Sequence, residues 1–513
     1  MEPVTPTQPD ETGKHWQVKP GLVAALVTVL VASAITIVVT RSDGTGKAAT
    51  VAAVRQVVVP PPATTPVATQ APAPPVTTPP VAITTVPPTA AAPPAPPPAA
   101  KSRPAVAAAP ATPPPLPLTL TAALQQAMAG VNGCLIVEDD DGALKTLFDL
   151  NGGGGFIPAS TQKILVAAAA LSRLGPDYRF ETKVVASRPV EDGALHDAWL
   201  VGGGDPYLAT PDYAAYLVAR PRTVDTPLTP LAALADELVA AGVRSIPEGL
   251  QTDESRYPPQ RSVPTWKPSY VSEAEVGSLG ALTVNEGLAG WGPNQKVAPD
   301  PAMSAANAFG RLLADRGVSL AGPVAGSSAP LDAAVIATVR SAPLGQIVSG
   351  MLRASDNYVA EMLVKELDRQ SGGPGLTAGG TARVVEELGS LGVPVDGVHL
   401  NDGSGLDTGN RATCRALLGA LNLSRQPRFS TLDSGLAIAG RTGTLAKRYI
   451  GSPAEFLLAA KTGWINGCAA MVGRIAISPT RRFALIFNGQ FGWPHAQAVE
   501  DRVVGALTAN LPL

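Results

Sequence analysis

The first residues that could perform chemistry are Ser160-Thr161-Gln162-Lys163, which place a hydroxyl and an amine three positions apart on one face of a helix. A lysine accepts a serine proton only when it is neutral, and burial, a helix N-terminus or a second cation each lowers the lysine pKa. The pair therefore predicts a nucleophile and its general base. SxxK is common by chance, so an exposed helix face is the alternative interpretation.

Two further groups of polar residues lie at the ends of predicted elements. Ser355-Asp356-Asn357 precedes the apolar helix YVAEMLVKEL, where it would also serve as an ordinary helix N-cap. Lys461-Thr462-Gly463 closes the apolar run FLLAA and could equally be a strand end. Taken separately, neither group establishes a catalytic role.

The elements that must position these residues follow an α+β pattern. A helix with a Thr cap is predicted from Thr119 to Ala129, followed by the strands NGCLIVED and ALKTLFDLN. A second helix begins near Pro158 and Ser160. At the C-terminal end, AAKTGWING, AAMVGRIAI and RRFALIFNG read as strands, and PHAQAVEDRVVGALTANL reads as a final helix. This order predicts an antiparallel sheet covered by helices.

Residues 178–344 interrupt this pattern. They contain short strands near 182–200 and helices near 227–241 and 301–316. We interpret them as an inserted accessory region that divides the catalytic domain into residues 118–177, which carry SxxK, and 345–513, which carry the other two groups.

The N-terminal part of the chain has a different composition. Of the 52 prolines, 22 lie between Pro60 and Pro117. Such a tract favours extended polyproline II structure, so residues 41–117 are predicted to be a disordered, semi-stiff linker. An SH3 or WW ligand is the alternative interpretation of the tract.

Residues 21–40, GLVAALVTVLVASAITIVVT, contain no charge and are long enough for a helix to cross the bilayer core. They predict one transmembrane anchor after a cytoplasmic head at residues 1–20. A buried core helix and a cleaved signal peptide, with Ala32-Ser33-Ala34 as its cleavage site, are the alternatives. Flanking charges do not define the orientation.

Charge and composition exclude several function classes. The net charge of −2 provides no electrostatic footprint for nucleic acid. Cys134, Cys414 and Cys468 show no metal-ligand spacing, so we expect no metal or cofactor, at most one disulfide, and more readily buried free thiols. No GxSxG motif accompanies the histidines of the globular part, which argues against a Ser-His-Asp hydrolase.

SxxK, SxN and KTG in this order resemble the signature of penicillin-binding proteins and serine β-lactamases. The resemblance extends to further motifs, which cover nearly all of residues 118–513: FIPASTQK, LVGGGDPYL, PTWKPSY, LTVNEG, RASDNYVAEML, NDGSGL, AGRTGTL and AAKTGWING. Together they are similar to the D-alanyl-D-alanine carboxypeptidase/endopeptidase family of peptidase class S13, the low-molecular-mass class C penicillin-binding proteins. The interval of about 195 residues between Ser160 and Ser355 matches that family, whose accessory domains are inserted there.

The resemblance implies a role for each motif residue. Ser160 would be the acylated nucleophile, Lys163 its base, and Ser355 a proton relay to the leaving amine. Asn357 would hold the substrate amide and Lys163. Lys461 and Thr462 would bind the terminal carboxylate, and the segment Gly463-Trp464 would contact the substrate, with the backbone N–H groups of Ser160 and Trp464 forming the oxyanion hole.

Four positions depart from the family pattern or stay open. Trp464 stands where many relatives have threonine, which removes a hydroxyl that could contact the carboxylate. Thr408 occupies the position of an arginine that often follows the DGSGL motif, and Arg411 lies three residues later. Glu273 and Glu275 are either surface acids or partners for a diaminopimelate amine.

The implied function is a membrane-anchored serine D-Ala-D-Ala carboxypeptidase/endopeptidase in the cell envelope, acting on peptidoglycan stem peptides and acylated by β-lactam antibiotics. A serine β-lactamase is the first alternative, although residues 373–398 lack the ExxLN motif of the class A type. A catalytically dead wall-binding or receptor protein is the second, and it would normally have lost one of the three motifs.

Overall fold

The computed structural model describes residues 119–324, 326 and 328–509. The predicted head, anchor and linker at residues 1–117 lie outside the described residues. Within the described part, no helix combines the length and apolar character that a membrane crossing requires.

The described residues form the following α-helices: α1 Leu120–Ala127, α2 Lys163–Arg173, α3 Pro211–Val218, α4 Leu231–Ala240, α5 Pro268–Ser272, α6 Pro301–Ala314, α7 Leu344–Ala354, α8 Asn357–Gln370, α9 Thr377–Ser390, α10 Cys414–Asn422, α11 Thr431–Ser434 and α12 Trp493–Thr508. The strands are β1 Gly133–Asp140, β2 Leu144–Leu150, β3 Glu181–Ala186, β4 Ala198–Val201, β5 Leu208–Ala209, β6 Thr229–Pro230, β7 Ser245–Ile246, β8 Leu250–Asp253, β9 Leu288–Gly290, β10 Lys296–Val297, β11 Ser319–Leu320, β12 Pro323–Val324, β13 Ala334–Arg340, β14 Ala437–Ile438, β15 Leu458–Ile465, β16 Cys468–Ile475 and β17 Thr480–Asn488.

The main sheet has six strands in the order β14-β15-β16-β17-β1-β2, and every neighbouring pair is antiparallel. Successive side chains of a strand point to opposite faces. In β1, Ile136 therefore enters the core shared with α2, α7 and α8, whereas Leu135 and Val137 enter the core shared with α1 and α12. Helices cover both faces, and the predicted α+β class with its antiparallel sheet is confirmed.

Helix α2 is the central helix of the larger core. Its sequence, KILVAAAALSR, is buried from Lys163 to Ser172, and small alanines let neighbouring helices approach closely while favouring helix formation. A short 3₁₀ turn, Ala159–Gln162, leads directly into the helix. The position of Ser160 and Lys163 is thus set by a helix that is buried along almost its whole length.

Between α2 and α7 the chain forms a second sheet of five strands, in the order β12-β8-β4-β3-β13. Strands β4, β8 and β12 are parallel to one another, while β3 and β13 are antiparallel to their neighbours. Helices α4 and α6 pack on this sheet around Leu234, Leu238 and Phe309, which are fully buried.

The cysteines differ from the expectation of free thiols. Cys134 on β1 and Cys414, the first residue of α10, form a disulfide with a Cα–Cα distance of 6.0 Å, while Cys468 is free and buried. The two partners are 280 residues apart in sequence, so their proximity depends on the packing of α10 against the main sheet. Local spacing carried no information about this pair.

Candidate active site

Ser160 lies in the 3₁₀ turn that precedes α2. The residue before it, Ala159, is fully buried and has a φ of 45°, a left-handed conformation that costs an alanine energy and persists only when its surroundings hold it. Gly463 of β15 packs against this turn, and a Cβ there would approach the Pro158 carbonyl oxygen to 2.9 Å. Glycine in KTG therefore lets the strand lie directly beside the serine.

Lys163 lies one turn further along α2, and its side chain is fully buried. Its Nζ donates to Ser160 Oγ at 2.9 Å, to Asn357 Oδ1 at 2.8 Å and to the Ser404 carbonyl oxygen at 2.6 Å. Burial lowers the pKa of Lys163 to about 8, although the nearby Asp402 and Glu361 carboxylates oppose the shift. The amine is therefore close to the neutral form that a general base requires.

The carbonyl that receives Lys163 belongs to a tightly held loop, the NDGSGL motif. Asp402 is fully buried and accepts hydrogen bonds from Gly405 N and Asp407 N, at 2.9 and 2.8 Å, and from the Trp266 indole at 2.8 Å. Ser404 N donates to Glu361 of α8 at 2.7 Å. Because both acids hold backbone N–H groups, they fix the loop that orients Lys163.

Ser355 and Asn357 reach the site from the junction of two helices. Ser355 ends α7 with a φ of 61°, and the Asp356 carboxylate caps α8 by accepting from Val359 N at 3.0 Å. The sharp turn directs the residues on either side of Asp356 into the cleft. The N-cap expected from the sequence is present, and its role is to place Ser355 and Asn357.

Strand β15 carries Lys461 along the opposite wall. Pairing of Lys461 with Val472 and of Thr462 with Met471 fixes the strand in the sheet. Lys461 is fully buried, and its Nζ donates to Ser355 Oγ at 2.8 Å. Burial, with the charges of Lys163 and Arg222, lowers the pKa of Lys461 well below its ordinary value.

The positions that depart from the family pattern lie around the rim. Trp464 packs edge-to-face on Trp493, with ring centroids 5.2 Å apart. Thr408 lines the cleft, whereas Arg411 points away and donates to the Thr408 carbonyl oxygen at 2.9 Å. Glu273 and Glu275 are exposed on the cleft wall.

All eight residues singled out from the sequence meet at one cleft of about 860 Å³. Six line it directly: Ser160, Ser355, Asn357, Thr462, Gly463 and Trp464. The two lysines lie beneath them and hold Ser160 and Ser355. Among the described residues, no cluster of three or more His, Cys, Asp or Glu side chains could hold a metal ion.

Sequence reasoning missed several participants. Thr444 accepts a hydrogen bond from Thr462 Oγ1 at 2.9 Å, and Ser404 supplies a carbonyl to Lys163. Both belong to motifs that were recognised without an assigned role. Arg222 also lines the cleft, and no sequence signal distinguishes it, because its position depends on how a loop between α3 and α4 docks.

The sequence model of the D-Ala-D-Ala carboxypeptidase 3 (S13) family matches residues 118–291 and 293–510. The D-alanyl-D-alanine carboxypeptidase of Actinomadura sp. strain R39 is 29% identical over 460 residues, covering 74% of this chain and 81% of the relative. Carboxypeptidase DacB of Mycolicibacterium smegmatis is 32% identical over 386 residues, covering 73% of this chain and 80% of the relative.

Among solved structures, penicillin-binding protein 4 of Haemophilus influenzae matches with a TM-score of 0.62 at 20% identity. The match covers 74% of this chain and 98% of that protein. The penicillin-binding fold inferred from the motifs is thereby confirmed.

Proposed function

The chain belongs to the D-Ala-D-Ala carboxypeptidase 3 (S13) family, and we propose that it is a serine carboxypeptidase/endopeptidase that cleaves peptidoglycan stem peptides through an acyl-enzyme. β-Lactam antibiotics would acylate the same serine. The observation that carries this proposal is the fully buried Lys163 amine, 2.9 Å from Ser160 Oγ at the floor of the cleft.

In the acylation step, neutral Lys163 takes the Ser160 proton while Oγ attacks the carbonyl carbon of the penultimate D-alanine. With a pKa of about 8, about a tenth of the amine is neutral at pH 7. The developing oxyanion would accept from the backbone N–H groups of Ser160 and Trp464, and losing one such donor typically costs about 3 kcal/mol.

As the C–N bond breaks and D-alanine departs, Ser355 would deliver its proton to the leaving nitrogen and would regain one from protonated Lys163, which returns the amine to its neutral form. The hydrogen bond from Lys461 to Ser355 Oγ at 2.8 Å orients that hydroxyl. Asn357 holds Lys163 through its Oδ1 and would present its Nδ2 to the substrate amide. Water then hydrolyses the ester on Ser160, with Lys163 accepting the water proton and passing it to the departing Ser160 Oγ.

Lys461 and Thr462 would bind the terminal carboxylate of the peptide. Thr462 Oγ1 donates to Thr444 Oγ1 at 2.9 Å, so the two hydroxyls form one polar wall along β15. This wall lies beside the serine because Gly463 packs against the turn that carries it.

The direct test is release of D-alanine from a peptide ending in D-Ala-D-Ala, together with intact-mass analysis after benzylpenicillin. We expect turnover of the peptide and a covalent adduct on the fragment containing Ser160. The Ser160→Ala variant should show neither. An adduct that persists in this variant would contradict the assignment of the nucleophile.

The same sample separates the two alternative functions. Rapid, repeated hydrolysis of nitrocefin without D-alanine release would identify a β-lactamase. A folded chain that forms no penicillin adduct and releases no D-alanine would be a binding protein without catalysis.

For the cellular arrangement, we infer that residues 21–40 anchor the chain, that 41–117 are a linker, and that 178–344 are an inserted accessory region. The catalytic part would be extracytoplasmic, where cross-linked peptidoglycan lies. The Cys134–Cys414 disulfide supports this location, because disulfides persist in oxidising compartments.

A reporter that is active only in the cytoplasm tests this topology when it is fused after Leu513. We expect it to stay silent. An active reporter would place the cleft on the side of the membrane that has no cross-linked substrate.

A further inference from the structure

A loop between α3 and α4, residues 219–228, brings one arginine to the end of the cleft. Arg222 Nε donates to the Ala354 carbonyl oxygen at 2.6 Å, beside Ser355. Three residues later, Asp225 pairs with Arg353 of α7 at 3.2 Å. These two contacts hold the loop against the C-terminal end of α7, where free carbonyl groups favour a cation.

Arg222 is exposed to the cleft, and it lines the same cavity as Ser160 and Thr462. Its positive charge contributes to the lowered pKa of both Lys163 and Lys461. The guanidinium therefore lies close enough to both amines to influence their protonation. Because its Nε is already engaged by Ala354, its two terminal nitrogens are the groups that remain for a ligand.

Two acids, Asp356 and Glu275, lie close enough to Arg222 for their charges to oppose the lowering of its pKa by burial. The Asp356 carboxylate caps α8, and Glu275 is exposed on the cleft wall. Among the described residues, neither forms an ion pair with Arg222; by contrast, Arg353 and Arg448 each pair with a carboxylate. This end of the cleft therefore carries a guanidinium that has no direct ion-pair partner among the described residues, and such a group suits an anionic ligand.

Strand β15, which lines the same cleft, lacks a side-chain hydroxyl at one position. Trp464 follows Gly463, and its indole packs on Trp493 with ring centroids 5.2 Å apart. The hydroxyls available on this wall are those of Thr462 and Thr444, which bond to each other. A carboxylate bound beside these hydroxyls could gain a further charged donor from Arg222, which lines the same cleft.

We propose that Arg222 joins Lys461 and Thr462 in binding the carboxylate of the leaving group, the one carried by the carbon attached to the scissile nitrogen. This assignment rests on the proposed peptidase function. In a carboxypeptidase reaction the carboxylate is that of the terminal D-alanine. In an endopeptidase reaction on a diaminopimelate cross-link it is the carboxylate beside the cross-linked amine, so both reactions present the same chemistry to the guanidinium.

The test compares a peptide ending in D-Ala-D-Ala with the same peptide as its C-terminal amide. High enzyme concentration and long incubation make the slower amide reaction measurable. We expect Arg222→Gln to lower kcat/KM for the carboxylate peptide about tenfold to a hundredfold, mostly through KM, and to change the amide reaction little. Arg222→Lys should retain part of the preference.

The matched control is Arg220→Gln, which removes the same charge two residues earlier. Arg220 stacks over the Tyr216 ring at 4.0 Å and is not among the residues lining the catalytic cleft. This variant should keep the wild-type preference for the carboxylate peptide. If Arg222→Gln also keeps that preference, or if kcat/KM falls equally for both peptides, Arg222 does not bind the carboxylate.

Failure of the underlying function gives a different result. A wild-type protein that releases no D-alanine from the carboxylate peptide would overturn the proposed peptidase function and this assignment with it. Normal wild-type turnover with an unchanged preference in Arg222→Gln would overturn the assignment of Arg222 alone.

Discussion

Two regions of the catalytic domain bury a lysine in nearly the same way. Lys163 donates to an amide oxygen, Asn357 Oδ1, at 2.8 Å and to a backbone carbonyl at 2.6 Å. Lys365 of α8 donates to Gln260 Oε1 at 3.2 Å and to the Gly375 carbonyl at 3.1 Å. Both side chains are fully buried, and burial lowers the pKa of each to about 8.

The difference between the two regions is the third partner. Lys163 has a serine hydroxyl at 2.9 Å that opens into the cleft, whereas the described partners of Lys365 are carbonyl and amide oxygens. A lowered lysine pKa therefore marks burial as much as catalysis. The nucleophile and its access to substrate are what make one of these lysines a candidate base.

The largest expected effect comes from replacing Lys163 by methionine, which keeps the length of the side chain and removes the amine. Lys163→Met should reduce acylation by benzylpenicillin by about a thousandfold or more, because Ser160 loses its base. The measurement is the second-order rate of adduct formation by intact mass. Retention of rapid acylation in Lys163→Met would show that another group activates the serine.

A smaller effect is expected from the amide side chains that hold the two lysines. Asn357→Ala removes one acceptor of Lys163 and the Nδ2 group that donates to the Glu275 carbonyl oxygen at 3.2 Å, so acylation should fall about tenfold to a hundredfold. Gln260→Ala is the matched control at Lys365 and should leave the acylation rate near that of the wild type. Equal losses of acylation rate in both variants would mean that each substitution disturbs the fold in general and does not act through the Lys163 base.

The pH dependence of acylation provides a third way to separate the regions. The base is the neutral form of Lys163, so the rate should rise about tenfold per pH unit below the pKa of about 8 and level off above it. The profile should be unchanged in Lys365→Met, although Lys365 has a similar pKa. A profile that shifts in Lys365→Met would show that the titrating group is Lys365 and not Lys163.

How much of this site was predictable depends on the distance over which each contact acts. The relation of Ser160 to Lys163 follows from three residues of helix, and the strand that carries Lys461 follows from its apolar pattern. The contact of Lys163 with the Ser404 carbonyl joins residues 241 positions apart. Neither periodicity nor spacing encodes that contact, since it depends on how α8 and the NDGSGL loop pack.

The same reasoning explains the errors and omissions. Cys134 and Cys414 looked like separate thiols because nothing local links a strand to a helix that begins 280 residues later. Arg222 looked like an ordinary loop arginine because its role depends on a contact with the end of α7. Lys365 shows the opposite problem: it is a buried lysine without a role in the proposed reaction, and nothing in the local sequence distinguishes it from a catalytic lysine.

The smallest effect on turnover is expected for Lys365→Met, whose consequence should appear in stability instead. Folding lowers the pKa of Lys365 from 10.5 to about 8, so between these values the unfolded chain binds the proton that the folded chain has released. The free energy of unfolding of the wild type therefore gains a contribution as pH rises through this window, and Lys365→Met lacks it. The difference between the two proteins should change in favour of the wild type by on the order of 3 kcal/mol from below pH 8 to above pH 10.5.

Urea unfolding of the full chain in detergent at pH 7.5, 9 and 10.5 measures this difference, with D-alanine release at pH 7.5 as the activity control. Unchanged turnover with a pH-dependent stability difference would confirm that Lys365 titrates without serving the reaction, whereas lost turnover with a constant stability difference would reverse the comparison.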